Sequence, residues 1–533
     1  MNRITYNLLA LLLKSLLLPA QTPTLVKDIY PGSSSSLSAY ADNTKRYVNA
    51  NGILYFPAWD GVNGVELWRS DGTVLGTYMV KDIYAGSYDS NPSDLTVMNG
   101  IVYFIAQDQS YGYELWRSDG TALGTYIVKD INPGANPGST TYPSLTNVNG
   151  ALYFQAIDPA FGYSLWRTDG TASGTKYVTN GAGNAHNFNL LGEMVAVNGV
   201  LYFVMNSTSP NSVGNELWRI DNSTGSPVLV KDINAGSASA NPYRLTKANN
   251  LLFFLADNGV NGYELFRSDG TATGTFVMKE LYPGNNADRD YLVDLTDVNG
   301  VLFFFFKGVP GSGYEPSLWR SDGSIAGTYL IKNLFTATST TAFSVSINNI
   351  FYFVPGNMAG SDEVWRSDGT ANGTYLVKDT TPDSDGAGVR NLTNVNGILY
   401  YSAYRMPLWR SDGTAAGTTP VYPVPTDQPN NLFALTVAGD KLFFGAATPD
   451  NGTELWALSL SSPVCSSLKS GSWTSTATWS CGRVPTVSDK AVINAGHTVT
   501  VSTNAAQAQY LVCKGDGRLQ LTTGMSKIFM PKN

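Results

Sequence analysis

The residues of this chain best suited to chemistry recur along it instead of clustering. Aspartates stand at Asp71, Asp119, Asp169, Asp221, Asp269, Asp322, Asp368 and Asp412, and two positions before each comes an arginine, at Arg69, Arg117, Arg167, Arg219, Arg267, Arg320, Arg366 and Arg410. Glu66, Glu114, Glu216 and Glu264 lie three positions ahead of their arginines. Carboxylates of this kind could bind calcium, arginines could grip an anion, and two carboxylates across a mouth could hydrolyse a glycoside. Even spacing argues against the first two, because each copy falls in a separate structural unit and no common site results. Arginine is instead expected to pair with glutamate within or between units, and calcium held inside one unit is the only cofactor left open.

The remaining catalytic material is sparse. His186 and His497 are the only histidines, too few for histidine-based triads or multi-histidine metal centres. Three cysteines, Cys465, Cys481 and Cys513, all lie near the C-terminus; their spacings of 16 and 32 match no zinc pattern. In an oxidising compartment Cys465 with Cys481 is the expected disulfide, leaving Cys513 free. Net charge is -7, pI is near 5.0 and no basic stripe is present, which excludes nucleic acid as a partner. Residues 1–20 read as a secretory signal peptide, with Arg3 ahead of a leucine-rich stretch from Leu8 to Leu18 and then Pro19-Ala20. That stretch, broken by Lys14, is too short to span a bilayer, and no other segment is a candidate.

What must position these residues is a repeat. The aromatic of the Glu-Leu-Trp motif recurs at Trp68, Trp116, Trp166, Trp218, Phe266, Trp319, Trp365, Trp409 and Trp456, in steps of 44 to 53 residues. A period near 50 marks a propeller or solenoid. Within one copy, two apolar runs flank Asn149-Gly150, a type I′ hairpin because both central residues need positive φ. The turn returns at Asn51-Gly52, Asn99-Gly100, Asn198-Gly199, Asn299-Gly300 and Asn396-Gly397, with variants Asn249-Asn250, Asn348-Asn349 and Gly439-Asp440. The third strand carries the tryptophan, Ser-Asp-Gly-Thr makes the next turn, and Tyr78-Met-Val-Lys-Asp82 typifies the fourth strand. Asp71 and Gly72 suit that turn, as acceptor and as positive-φ residue.

The chain ends are out of phase. Thr24-Leu-Val-Lys-Asp28 is a fourth strand with no preceding three, and the last copy, ending at Trp456 and Leu460, lacks its fourth. The expectation is therefore an all-β fold: a β-propeller of about nine four-stranded blades over residues 24–460, closed by the N-terminal strand, with an open β-solenoid as the alternative. A small β-rich module follows over 464–533.

Several resemblances refine this reading. The spacing Ala58-x-Asp60-x-x-x-Gly64-x-x-x-Trp68, repeated at Ala106 to Trp116 and Ala156 to Trp166, resembles the tryptophan-docking motif of quinoprotein propellers, which implies interblade packing for the nine aromatics. The quinoprotein cofactor's vicinal cysteine pair is missing from the repeats. Ser-Asp-Gly-Thr resembles the Asp-box hairpin of sialidases, implying a structural turn role for the eight aspartates, and no sialidase arginine triad with a tyrosine nucleophile is found. Residues 24–460 as a whole resemble the ELWxxDGT repeat family of exported Bacteroidota-type proteins; Glu66 to Thr73 and Glu114 to Thr121 match throughout, whereas Ser164 replaces glutamate and Phe266 replaces tryptophan. That resemblance implies export and a surface role, without a defined activity. Gly471-Ser-Trp473, Trp479 and Ala495-Gly-His497 resemble an eight-glycine type of β-solenoid module, in which His497 is a turn or packing residue.

The function expected is a secreted or cell-surface, non-catalytic scaffold for binding or adhesion to an extracellular glycan or protein. The alternatives are a carbohydrate-active or other hydrolase with carboxylates at the central mouth, and a purely structural surface-layer component. Asn-Gly and Ser-Asp-Gly-Thr turns should share one face of the ring. The opposite face collects loops of variable length, Tyr30 to Arg46, Tyr84 to Asp94, Asn132 to Ser144, Gly181 to Asn189, Tyr282 to Asp294 and Thr381 to Arg390, where function is expected to lie.

Overall fold

The computed structural model describes residues 22–38, 46–134, 145–158, 160, 162–179, 190–206, 213–221, 223–281, 292–307, 316–334, 343–355, 363–381, 387–403, 408–421, 430–460, 464–480, 484–485, 490–501, 510–516 and 518–521. The signal segment, His186, Cys481 and much of the variable loops lie outside them.

Alternating apolar residues on short strands around tight turns produce nine four-stranded sheets. Blade I comprises Val48–Ala50, Ile53–Trp59, Val65–Ser70 and Tyr78–Lys81, paired in sequence order. Blades II to VIII follow over 93–129, 146–177, 190–231, 243–279, 292–333, 343–376 and 390–420, all antiparallel meanders. Blade IX takes Asn430–Ala438, Lys441–Thr448 and Gly452–Ser459, and its fourth strand is Thr24–Lys27. In that closing pair Leu25 stands opposite Trp456 and Lys27 opposite Leu455. The first strands of successive blades touch all the way round, including blade IX back to blade I, so they form the innermost ring of a closed propeller.

The turns match the local chemistry with two departures. Asn51 and Gly52 have φ of 54° and 84°, and the other Asn-Gly pairs, with Asn348-Asn349, likewise carry two positive values. At Asn249-Asn250 and Gly439-Asp440 only the first residue is positive. Four of the asparagine side chains also reach the next blade's turn, as in Asn348 Nδ2 to the Gly397 carbonyl at 3.0 Å.

Contact clustering divides the chain into two compact units, one of residues 24–420 with 424–457 and another that includes 458–533. The second holds two three-stranded parallel sheets: Val464–Ser466, Lys490–Ile493 and Tyr510–Cys513 in one, and Gly471–Ser472, Thr498–Val501 and Arg518–Leu521 in the other. Parallel stacking of short strands is the rung geometry of a β-helix. Its core is Cys465, Trp473, Trp479, Ala491, Ile493, Val499 and Val501, and the Trp479 indole N–H donates to the Trp473 carbonyl at 2.8 Å.

Candidate functional site

Eight of the nine repeated aromatics lie in the seams between blades; the ninth, Trp456, stands opposite Leu25 in the closing strand pair. Trp68 packs with Phe433 and Phe443 of blade IX, Trp116 with Leu67 and Val80 of blade I, and Trp166 with Leu115 and Val128 of blade II. Trp218, Phe266, Trp319, Trp365 and Trp409 meet the preceding blade in the same way. Seven of the nine seams also hold a lysine, Lys27, Lys81, Lys129, Lys231, Lys279, Lys332 or Lys378, that no sequence motif above assigns a role. Lys81 Nζ donates to the Thr125 carbonyl of the next blade at 2.8 Å and lies 5.7 Å from the Trp116 ring centroid. Lys27, Lys129, Lys332 and Lys378 repeat both contacts with Trp68, Trp166, Trp365 and Trp409. A charge-assisted hydrogen bond and a cation over an indole therefore fasten one fourth strand to the next blade. The recurrence of Val-Lys-Asp at 26–28, 80–82, 128–130, 230–232 and 377–379 is the signal in the sequence.

The aspartates close their own turns. Asp119 Oδ1 accepts from the Thr121 amide at 2.9 Å and from Thr121 Oγ1 at 2.7 Å, while Gly124 N donates to Thr121 Oγ1 at 3.0 Å. Asp71, Asp169, Asp269, Asp368 and Asp412 make the same pair of bonds, and Asp322 and Asp221 make them to serine. Those bonds from the threonine or serine hold the aspartate carboxyls below their ordinary value at Asp71, Asp119, Asp169, Asp221, Asp269, Asp322 and Asp368. Each turn then rests on its neighbour: a Cβ on Gly120 would sit 2.3 Å from Tyr55 Oη and 2.8 Å from Arg69 Nη1 of the blade before.

Where pairing with glutamate is expected, Arg69, Arg117, Arg219, Arg267, Arg320 and Arg366 meet rings and carbonyls instead. Arg69, Arg117, Arg320 and Arg366 lie over Tyr78, Tyr126, Tyr329 and Tyr375, and Arg267 lies over Phe276. Arg267 Nη1 donates to the Gly323 carbonyl at 2.8 Å, and Arg219 Nε to that of Gly270 at 3.1 Å. Positions i and i+3 on one strand point to opposite faces of the sheet, so Glu66 and Arg69 cannot meet.

Glu66 is fully buried and holds the loop that leaves its blade. Its carboxylate accepts from the amides of Ile83, Tyr84 and Ser90 at 3.0, 3.3 and 3.2 Å and from Ser90 Oγ at 2.7 Å. Glu114 binds the Ile131 and Asn132 amides, Glu216 those of Ile233 and Ala240, and Glu454 those of Ile29, Tyr30 and Ser36. Burial pushes Glu66, Glu114, Glu216 and Glu454 up to about 7 despite the opposing pull of these donors. The variable-loop face is thus pinned from below by one glutamate per blade at these four copies.

The innermost strands carry a second device that the sequence did not reveal. Register slips after Ser93, Tyr243, Val293, Arg390 and Phe433, and the following residues Asp94, Arg244, Asp294, Asn391 and Ala434 have φ between 51° and 57°. A threonine two positions on, such as Thr393, donates to the bulge carbonyl, here Asn391 at 2.9 Å. Each bulge sits where its strand begins, the end nearest the variable loops. Two of them bring carboxylates, Asp94 and Asp294, onto the inner ring from blades II and VI.

Cys465 is disulfide-bonded and Cys513 is free, while the expected partner Cys481 falls outside the described residues. His497 Nδ1 lies 2.8 Å from Ser467 Oγ. Among the described residues, no three metal-ligating side chains converge, and no helix is long and apolar enough to cross a membrane. Of the variable loops, 39–45, 135–144, 181–189, 282–291 and 382–386 lie outside the described residues.

No protein family matches the chain, and no curated protein matches it. Among solved structures it is similar to the computationally designed protein Ika8, at 10% identity and a TM-score of 0.38, covering 80% of this chain and 99% of that one. An oligogalacturonate lyase in complex with manganese gives 12% identity and a TM-score of 0.34 over 82% of this chain and 96% of that one. A prolyl endopeptidase gives 15% and 0.34 over 59% of this chain and 49% of that one. Likeness at this level leaves the activities of those proteins with those proteins.

Proposed function

We propose that this chain is an exported member of the ELWxxDGT repeat family, acting at the cell surface or outside the cell as a non-catalytic scaffold that binds an extracellular glycan or protein through its variable-loop face. One observation carries the proposal: the repeated polar groups are consumed by the ring itself. The aspartates satisfy their own turns, the lysines and arginines satisfy the next blade, and the glutamates satisfy loop amides. What remains for a partner is the set of loops that differ between blades, held in place by those glutamates.

Exchanging the loops of the variable face should abolish binding on a glycan and protein array, and changes to the Asn-Gly turns should leave it intact; the reverse result would overturn the proposal. The second reading is a hydrolase with carboxylates at the central mouth, for which Asp94 and Asp294 are the inner-strand carboxylates to test. Turnover of a polymer by the native chain, lost in Asp94→Asn with Asp294→Asn, would replace the first reading by the second.

A further inference from the structure

The variable-loop face of blades I and II exposes large aromatic rings on turns that are bonded into one surface. Trp59 and Tyr111 are 39% and 38% exposed, and Tyr88 is 64% exposed. Trp59 ends the second strand of blade I, Tyr88 lies in the loop from blade I to blade II, and Tyr111 lies in the turn between the second and third strands of blade II. All three therefore sit at the same end of their blades.

The turns carrying them are tied in succession. The Trp59 amide donates to the Ser36 carbonyl at 3.0 Å, and the Tyr30 ring meets the Trp59 ring edge-on at 4.8 Å. The Val65 amide donates to Asp89 Oδ1 at 2.7 Å, and Gln107 Nε2 to the Asp89 carbonyl at 2.9 Å. Tyr84 stacks on Tyr88 with centroids 5.0 Å apart. A Cβ on Gly64 would fall 2.1 Å from the Tyr88 carbonyl oxygen, so the loop lies directly against the turn. Rings held this way are presented at little entropic cost on binding.

The composition around them selects the ligand. The segments 28–38, 59–64, 84–91 and 107–112 contain no lysine or arginine, and they carry Asp28, Asp60, Asp89 and Asp108 with Asn63, Gln107 and several serines; the two cations of the loop Tyr30 to Arg46, Lys45 and Arg46, come at its end, just before the first strand of blade I. An acidic surface repels uronate polymers, sulfated glycans and anionic lipid. Flat rings beside carboxylate and amide acceptors suit the C–H face and hydroxyls of an uncharged pyranose. We infer that this sector is a binding platform for a neutral polysaccharide, with Trp59, Tyr88 and Tyr111 as its stacking residues. The inference rests on the variable-loop reading and names the ligand class and the sector.

The test is titration of the full chain, followed by tryptophan fluorescence and calorimetry, with cellohexaose, maltohexaose, mannohexaose, xylohexaose and chitohexaose, and with hexagalacturonate as the charged comparator. At least one neutral hexaose should bind and the charged one should not. Trp59→Ala with Tyr88→Ala and Tyr111→Ala should weaken binding by at least about tenfold. Leu75→Ser with Leu123→Ser, on the opposite face, should leave it unchanged. No neutral hexaose bound at about 10 mM, or preference for hexagalacturonate, overturns the ligand class. Neutral binding that survives the triple variant but is lost on exchange of loops in other blades overturns the sector and leaves the variable-face reading standing. Neutral binding that survives both overturns that reading as well.

Discussion

Gly124→Ala is a small substitution with a calculable consequence. The new Cβ would stand 2.0 Å from Asp119 Oδ1 and 2.1 Å from its Cγ, well inside contact distance, so the carboxylate must leave. The bonds from the Thr121 amide and hydroxyl, at 2.9 and 2.7 Å, go with it. Hydrogen bonds to a charged group contribute about 1.5–3 kcal/mol each, and an exposed turn lies at or below the lower end, so the loss should be about 2 kcal/mol. Asp119→Ala removes the same two bonds and should cost about the same. In the Asp119→Ala background, however, the obstacle to the methyl group is gone, and adding Gly124→Ala should cost only a few tenths. The double-mutant cycle should therefore show coupling of about 1.5–2 kcal/mol. Native-state hydrogen exchange of the amides at 121–126 reads this locally, which matters because repeat arrays need not unfold in one step. Additive effects of the two substitutions would refute the account of the turn, and so would a Gly124→Ala variant with wild-type protection.

Two further expectations follow from the same geometry. Glu66, Glu114, Glu216 and Glu454 titrate near 7 when folded against 4.5 when free, so the folded chain binds more protons between those values. Their contribution is full below pH 4.5 and is lost as pH rises through 7, by up to about 3 kcal/mol per group; Glu66→Gln with Glu114→Gln should flatten the slope of denaturation midpoint against pH over that window, and an unchanged slope would count against it. The turn aspartates run the other way, their contribution being present above 3.8 and lost on acidification below it. Deleting residues 22–27 should open the ring by leaving one edge of the Gly452–Ser459 strand unpaired, detectable by light scattering as association through that edge; a monomer with native melting behaviour would refute the closure.

The ring was legible in the sequence because its determinants are local and repeated. Asn51-Gly52 demands a turn wherever it occurs, and the out-of-phase strand at Thr24 has one partner able to complete a blade. The seam lysines were equally repeated, yet a lysine on an outer strand reads as solvated until the neighbouring blade's carbonyl is placed beside it. Glutamate and arginine were assigned to each other on charge alone, although strand alternation from Glu66 to Arg69 already separates them. The inner-strand bulges are harder to read. Asp94, Arg244, Asp294, Asn391 and Ala434 share a backbone conformation but not one side-chain type, and only the Leu-Thr that follows each of them, an ordinary pair on a strand, marks the place.

Closure by the N-terminal strand also has a kinetic meaning. Leu25 must find Trp456, and Glu454 must collect the amides of Ile29 and Tyr30, across separations of 425 and 424 residues. Contacts that distant carry the greatest loop-closure entropy and form last. Thr24–Lys27, made before the blade it completes, therefore waits unpaired for it, and until that blade arrives the growing arc keeps two open edges. On the exported reading proposed above, a ring whose closing pair joins Thr24–Lys27 to Gly452–Ser459 stays open, and so threadable, until its ninth blade has been made.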